Sequence, residues 1–290
     1  MRILILGSTG MLGHKLMQIL SRRFDVIGTV RSSAIKFESN PILGGLPLLS
    51  DVNAENFDSI TGAMASSRPD IVINCIGIIK QHSNAKDPLK SIAINSLFPH
   101  RLAQLCKATN AKMIHISTDC VFSGRKGNYA ENDYPDAEDL YGRTKLLGEV
   151  TYPDCLTLRT SIIGREMESK LGLIEWFISQ RRKKIHGYAH AIYTGFTTQA
   201  LADLIGNIIE AHPDLQGLWH VSSDPISKYD LLGLVNHGLD LEVTVEKDES
   251  FVCDRSLNSA RFREATGLKP PSWKYMVSQM ANDAAFYKIQ

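Results

Sequence analysis

Tyr141 and Lys145 stand four residues apart in the stretch Tyr-Gly-Arg-Thr-Lys-Leu-Leu-Gly-Glu, residues 141–149. On a helix that spacing puts both side chains on one face, one turn apart. A phenol titrates near ~10 and exchanges protons poorly at neutral pH. A nearby ammonium favours the phenolate and brings it toward the working range. Such a pair suits proton transfer to or from a carbonyl oxygen. Tyr-x-x-x-Lys alone is a frequent accident on amphipathic helices, so the surroundings decide its weight. Thr118 precedes Tyr141 by 23 residues and sits in Ser117-Thr118-Asp119-Cys120, directly after the apolar run Met113-Ile114-His115-Ile116. Hydroxyls at the carboxyl end of a central strand face the crevice where open parallel sheets bind ligands.

The elements that must carry such a site begin at the first residues. Arg2-Ile3-Leu4-Ile5-Leu6 is apolar without alternation, as a parallel strand buried on both faces requires. Gly7-Ser8-Thr9-Gly10-Met11-Leu12-Gly13 follows, and Leu12, Leu16, Ile19 and Leu20 then recur at helical spacing. Strand, glycine turn and helix in that order are the context in which this spacing means dinucleotide binding. Gly7 permits the turn, and Gly10 clears the approach to a pyrophosphate seated among Thr9, Met11 and Leu12 at the helix N-terminus. Gly13 lets helix and strand pack closely. Lys145 would then also reach the nicotinamide ribose.

Subsequent segments fit the same scheme. Asp25–Val30 reads as a second strand ending at Arg31-Ser32-Ser33, eighteen residues past Gly13, where an acidic residue would take a ribose 2′-hydroxyl. A cation with hydroxyls suits a 2′-phosphate instead, so NADP(H) is favoured and NAD(H) remains allowed. A third strand near Leu46–Leu49 delivers Asp51 and Val52 toward the adenine, although Asp after a strand is also an ordinary helix N-cap. Residues 56–67 form a modest helix. Ile71–Cys75 is a fourth strand ending at Ile76-Gly77, with Cys75, Ile76 and Gly77 against the cofactor. Pro88 to Ala108 reads as a long helix in which Asn95 supports the loops by a backbone hydrogen bond.

Composition narrows the classes. The 290 residues carry 22% charged side chains and a net charge of +1, so no global field favours nucleic acid or a membrane surface. No apolar stretch approaches the ~20 residues of a membrane span, and the N-terminal run is too short for a signal peptide. Five cysteines, an odd number without a Cys-x-x-Cys pair, fit reduced thiols in a cytoplasm.

Together these motifs resemble the extended short-chain dehydrogenases/reductases. Within them, Gly7–Gly13, Ser117-Thr118-Asp119-Cys120-Val121-Phe122-Ser123-Gly124 and Tyr141–Glu149 are most similar to the dTDP-4-dehydrorhamnose reductase group. Leu158-Arg159-Thr160-Ser161, after a sixth strand, and Arg255-Ser256-Leu257-Asn258-Ser259-Ala260 also resemble it. The resemblance implies a catalytic trio of Thr118, Tyr141 and Lys145. It implies sugar-nucleotide contacts from Asp119, Val121, Tyr193, Arg255 and Asn258. No metal ligands are expected, because His186 and His190, though spaced as a helical metal pair would be, are flanked by Gly187 and basic residues that argue for a loop. The implied reaction is NADPH-dependent reduction of a nucleotide-linked 4-keto-6-deoxy sugar, in deoxysugar and surface polysaccharide synthesis. Thr118-Asp119-Cys120 lacks the Asp-Glu pair that dehydratases of this kind carry after their Thr. Family reductases also place Trp after the Arg-Thr-Ser element. Ile162 stands there in this chain, which removes an aromatic wall from the sugar site. The alternatives are a nucleotide-sugar epimerase with retained NAD and a non-catalytic dinucleotide-binding regulator.

The expected architecture is α/β: a Rossmann-type doubly wound parallel sheet over residues 1–164, with a smaller α/β substrate domain over 165–290 that interleaves with it. In the second part, residues 172–184 read as a helix ending in a basic cluster, and His186–His190 as a loop. Residues 193–198, on a loop that borders substrate in the resembled family, lead into an apolar helix. A strand at 218–221, a helix at 228–237, a strand at 241–245 and a last helix lined by Trp273, Met276 and Met280 complete it. Nucleic acid and membrane are not expected partners, and a homodimer is left open.

Overall fold

Strand β1 (Arg2–Leu6) sets the two sides of the molecule by simple alternation. Ile3 and Ile5 point into one apolar core while Leu4 and Leu6 point into another, and all four are fully buried. A strand with no solvent face belongs in the middle of a sheet covered on both sides. In the computed structural model, which describes residues 1–80 and 86–287, β1 occupies that position.

The remaining elements follow in chain order: α1 (Gly13–Leu20), β2 (Asp25–Thr29), β3 (Leu48–Leu49), α2 (Phe57–Ser67), β4 (Ile71–Asn74), α3 (Pro88–Ser91), α4 (Phe98–Ala108), β5 (Lys112–Thr118), α5 (Leu140–Leu147) and β6 (Cys155–Thr160). Next come β7 (Ile162–Ile163), α6 (Leu173–Ile178), β8 (Lys184–Tyr193), β9 (Phe196–Thr197), α7 (Thr198–Ala211), β10 (Gly217–His220), β11 (Ile226–Ser227), α8 (Lys228–Leu239), β12 (Thr244–Asp254), α9 (Ala260–Thr266) and α10 (Trp273–Asn282). The seven-stranded sheet has the order β10-β6-β5-β4-β1-β2-β3, and every pairing in it is parallel. The order reverses between β1 and β4, which places the crevice at the carboxyl ends of those strands. The doubly wound α/β architecture expected from the sequence is present.

The second part departs from its reading in three places. The helix expected over 172–184 stops at Ile178, and the basic cluster lies in the turn leading to β8, where Arg182 takes a left-handed φ of 60°. Residues 186–190, expected in a loop, belong to β8. That strand pairs parallel with β12 through eight register positions and antiparallel with β11. Half-exposed alternation on this small sheet gives little hydrophobic signal, so neither long strand was visible in full. β12 starts at Thr244 and runs to Asp254, well beyond the strand expected at 241–245. The chain also returns to the large sheet, where β10 extends its edge beyond β6 while α7 packs against α1. Trp273, Met276 and Met280 are buried in α10, as the stripe implied.

The segment from Pro88 to Ala108 is one helical run, with α3 and α4 joined by π-helical turns over residues 92–97. Asn95 lies in that wider section, fully buried. Its amide accepts from Ile78 N–H at 2.8 Å and donates to Ile78 O at 3.0 Å and Thr144 Oγ1 at 3.3 Å. This is the loop-holding role read from its polarity, and it ties the end of β4 to α5.

Candidate active site

The glycine turn shows why glycine is needed at its two ends. Gly7 has a φ of +83°, a region that side chains disfavour. A Cβ on Gly13 would lie 2.1 Å from Gly7 O, so α1 can meet the turn at that distance only without one. The N-cap residue of α1, Leu12, supplies no side-chain hydrogen bond, leaving the helix terminus to an anion. Behind the turn, His14 is fully buried, with Nδ1 2.8 Å from Gly10 O and Nε2 2.6 Å from the Tyr287 hydroxyl.

Helix α5 is set by two contacts at its start. Asp139 caps it by accepting from Gly142 N–H at 2.8 Å, and its other oxygen meets Lys80 Nζ at 2.6 Å. A Cβ on Gly142 would lie 2.2 Å from Cys120 O, so this glycine brings the start of α5 against the loop after β5. Tyr141 and Thr118 are thereby neighbours. Thr118 Oγ1 donates to Asp119 Oδ1 at 3.2 Å and accepts from Cys120 N–H at 3.1 Å. The Lys80 ammonium lies 5.7 Å from the centre of the Tyr141 ring.

A cleft of about 710 Å³ runs from the glycine turn to the small sheet. It is the size of site that takes a dinucleotide's reactive end together with a second small molecule. Thr9, Gly10, Met11, Leu12, Arg31, Cys75, Ile76 and Gly77 line one part, and Thr118, Asp119, Tyr141, Lys145, Tyr193 and Arg255 line the other. The structure thus brings together residues from the ends of six strands (β1, β2, β4, β5, β8 and β12) and from helix α5 that the sequence had marked separately. Gly7 and Gly13 lie beneath the turn.

Five marked residues lie elsewhere. Val121 is wholly buried with Phe122, Tyr129 and Leu257 and offers nothing to the cleft. Asn258 turns its amide oxygen to Ala260 N–H at 2.9 Å, at the start of α9. Ser32 and Asp51 are outside the cleft lining, and Val52 belongs to the core beneath β1. The reason is β3, which is only two residues long at the sheet edge. The chain leaves it through Asp51, which is exposed and takes a left-handed φ of 58°.

The charge states also differ from expectation. Burial, with Cys120, Asp119 and Asp139 nearby, pushes the Tyr141 phenol above its usual range, against a hydrogen bond with Thr118 that works the other way. The expectation that Lys145 draws it down fails in this state because Lys145 Nζ points elsewhere. It donates to Ile116 O at 2.7 Å and lies 3.5 Å from His115 Nε2. Burial lowers the lysine itself to about 8, opposed by the Glu149 carboxylate. Tyr141 is therefore a neutral phenol with a proton to give. Asp119 is pushed up by burial and drawn back by Arg255, whose Nε donates to Phe122 O at 2.8 Å.

Several lining residues went unmarked. Glu166 and Gly172 come from the irregular stretch between β7 and α6, where no periodicity marks a role. There the Glu166 carboxylate accepts from Leu171 N–H at 2.8 Å and Gly172 N–H at 3.2 Å. Phe251 lies at the register shift of β12 with its ring 4.9 Å from Tyr188, and it puts an aromatic surface on the cleft that Ile162 cannot. The Tyr193 hydroxyl is buried and unpaired among the described residues.

Comparison with known proteins now adds the family. The model of the RmlD substrate binding domain matches residues 1–286. The chain belongs to that family. It is 29% identical over 149 residues to the dTDP-4-dehydrorhamnose reductase of Streptomyces griseus, covering 51% of this chain and 43% of that one. The match thus spans less than half of that relative's length. The Escherichia coli protein of the same name is 24% identical over 306 residues, covering 98% of each chain. Among solved structures, the dTDP-4-dehydrorhamnose reductase of Bacillus anthracis in complex with NADP superposes with a TM-score of 0.80 at 21% identity, covering 97% and 99%. At that identity the likeness speaks for the fold. RmlD membership and the structure agree on a Rossmann frame with its cleft at the strand ends.

Proposed function

We propose that this RmlD-family protein is a cytoplasmic NADPH-dependent reductase of a nucleotide-linked 4-keto-6-deoxy sugar of the dTDP-4-dehydrorhamnose type. The observation that carries the reading is the convergence of Thr118, Tyr141 and Lys145 with the glycine turn on one cleft. The printed names of the relatives supply the substrate class. Five unpaired cysteines suit a reducing compartment.

The chain's own groups fit the cofactor. The glycine turn leaves a helix terminus without a side-chain cap for the pyrophosphate. Arg31 lines the cleft, and its guanidinium makes no hydrogen bond or ion pair among the described residues. It is free for a 2′-phosphate. When bound, NADPH supplies the hydride that reduces the ketone carbon.

The other steps belong to side chains. Thr118 holds the ketone oxygen through its hydroxyl and polarises it. Tyr141, kept as a neutral phenol, gives its proton to that oxygen as negative charge develops. Lys145 holds the ribose and, once its ammonium turns toward the phenol, stabilises the phenolate left behind. Arg255 is the guanidinium nearest Asp119 and faces the substrate diphosphate, where a planar fork suits phosphate oxygens. Tyr193 adds its ring to the wall of the cleft that would meet the sugar.

The direct test follows NADPH absorbance after mixing the purified chain with a dTDP-linked 4-keto-6-deoxy sugar, then identifies the product by mass. Oxidation of the cofactor with a gain of two hydrogens in the sugar supports the reading. An epimerase would instead yield tightly held NAD on denaturing extraction and a product of unchanged mass. A regulator would bind NADPH and turn over no keto-sugar.

A further inference from the structure

Behind Lys145 runs a hydrogen-bond chain whose direction is fixed at its far end. The backbone N–H of Ile76 can only donate, and Asn74 Oδ1 accepts it at 3.1 Å. The other end of the amide, Nδ2, therefore faces His115, 3.1 Å from Nδ1. A side-chain amide nitrogen carries donors and no acceptor, so His115 Nδ1 must accept. Both residues are fully buried. Burial and the neighbouring Lys145 charge push the imidazole well below its usual pKa, which keeps it neutral. A neutral imidazole that accepts at Nδ1 carries its proton on Nε2.

That proton is aimed at Lys145 Nζ, 3.5 Å away. A neutral amine satisfies every partner: it donates to Ile116 O at 2.7 Å and accepts from His115. An ammonium can donate to Ile116 O, but it then faces the His115 N–H with a further N–H of its own. We infer that His115 is a positioning residue: held by Asn74 as its Nε2–H tautomer, it presents a donor to Lys145. It thereby governs whether Nζ rests against the strand as an amine or turns into the cleft as an ammonium. The inference deepens the proposed reaction and rests on it for the task given to Lys145.

The other groups facing the lysine do not remove this opposition. From beyond α5, the Glu149 carboxylate favours the ammonium, although Arg159 and Ser117 already hold its oxygens. From β4, burial pushes the Cys75 thiol up to about 12, so it stays uncharged. One turn earlier on α5, Tyr141 is a neutral phenol. His100 from α4 faces His115 from outside and is bonded to Tyr152 and Leu147 O. Burial and the His115 donor thus act together against Glu149, and the lysine sits near the working pH.

Two measurements test this without any sugar substrate. The first is the nitrogen-15 spectrum of the full chain with labelled histidine imidazoles, the His115 signals being assigned by their loss in His115→Gln. A neutral ring protonated on Nε2 is expected, and a ring protonated on Nδ1 overturns the inference. The second is NADPH affinity against pH, read by fluorescence. Affinity should fall as Lys145 loses its charge above about 8. His115→Leu removes the opposing donor and should move that midpoint up by about one pH unit, a tenfold change in the protonation equilibrium. Asn74→Asp cannot donate to Nδ1, forces the ring proton there and turns Nε2 into an acceptor, so its midpoint should rise at least as far. His115→Gln can accept from Asn74 and donate to Lys145, and its midpoint should stay at the unmutated value. Midpoints unmoved in both His115→Leu and Asn74→Asp overturn the inference. Failure of the unmutated chain to bind NADPH would instead refute the proposed function, and the spectrum would still decide the tautomer.

Discussion

Two buried ionic networks lie on either side of Ser117, and they are finished to different degrees. Behind the cleft, Arg159 grips both oxygens of Glu149, with Nε at 2.8 Å and Nη2 at 2.7 Å, and Ser117 adds a third bond at 2.7 Å. Arg159 Nη1 lies 3.2 Å from His220 Nε2, and His220 Nδ1 lies 2.9 Å from Tyr129 O. A carbonyl only accepts, so Nδ1 holds the proton and Nε2 receives one from the guanidinium. Each nitrogen of the Arg159 guanidinium and each oxygen of the Glu149 carboxylate has a partner there. At the cleft, Lys145 meets a carbonyl and an imidazole N–H, and one charge state always leaves a mismatch. Closed networks hold a structure, whereas a network left open on the ligand side keeps a charge available for chemistry.

Breaking the closed network should have the largest effect. Glu149→Leu leaves the Arg159 guanidinium buried without its counter-charge, and loss of one partner in such a pair costs about 3–5 kcal/mol. Urea unfolding should show that loss. Lys145→Met should behave oppositely, since replacing a buried amine with an apolar side chain removes a desolvation cost. Its stability should hold while its NADPH affinity drops. Equal destabilisation by both substitutions would erase the distinction between the two networks.

Acid should act more gradually, through the buried histidines. His14 and His220 are both held neutral, pushed down to about 4 by burial. In the unfolded chain each titrates near ~6.5, so between those values the unfolded state binds more protons than the folded state. Stability is therefore full above about 6.5 and is lost as pH falls toward about 4. Unfolding midpoints measured through that window should decline with a slope approaching three protons, because burial holds His115 neutral as well, and His14→Gln, His115→Gln and His220→Gln should each remove part of it. A flat profile would mean that none of the three rings is buried neutral.

The same contrast explains what could be read from the sequence. The large sheet was legible because its strands are buried on both faces and leave unbroken apolar runs, as in Ile3–Leu6 and Ile71–Ile73. Tyr141, Lys145, Thr118 and the glycine turn were legible because their chemistry depends on local spacing. The chain of groups behind Lys145 was not, since Asn74 and His115 stand at the end and in the middle of apolar strands, where a polar residue shows no direction. β8 and β12 were hidden by half-exposed alternation, and Phe251 enters the cleft only because the β12 register shifts between Asp248 and Val252. Asp51 and Val52 fall outside the cleft lining because β3 is only two residues long, and the length of an edge strand is a tertiary matter.

A smaller effect should come from the cofactor end. Arg31→Ala should narrow the preference for NADPH over NADH by about 1.5–3 kcal/mol, the worth of a hydrogen bond to a charged group. Stability should stay unchanged, because the Arg31 guanidinium is unpaired among the described residues. Equal affinities of the unmutated chain for the two cofactors would assign Arg31 to solvent.

The most direct test of the proposed reaction is Tyr141→Phe, which keeps the ring and removes only the hydroxyl. Turnover should be compared with the unmutated chain under saturating NADPH and a dTDP-linked 4-keto-6-deoxy sugar, with NADPH binding and urea stability measured alongside. A fall in turnover of roughly 10²–10⁴, with binding and stability retained, is the result expected of a positioned proton donor. Turnover at the unmutated rate would contradict the assignment of Tyr141 as the acid.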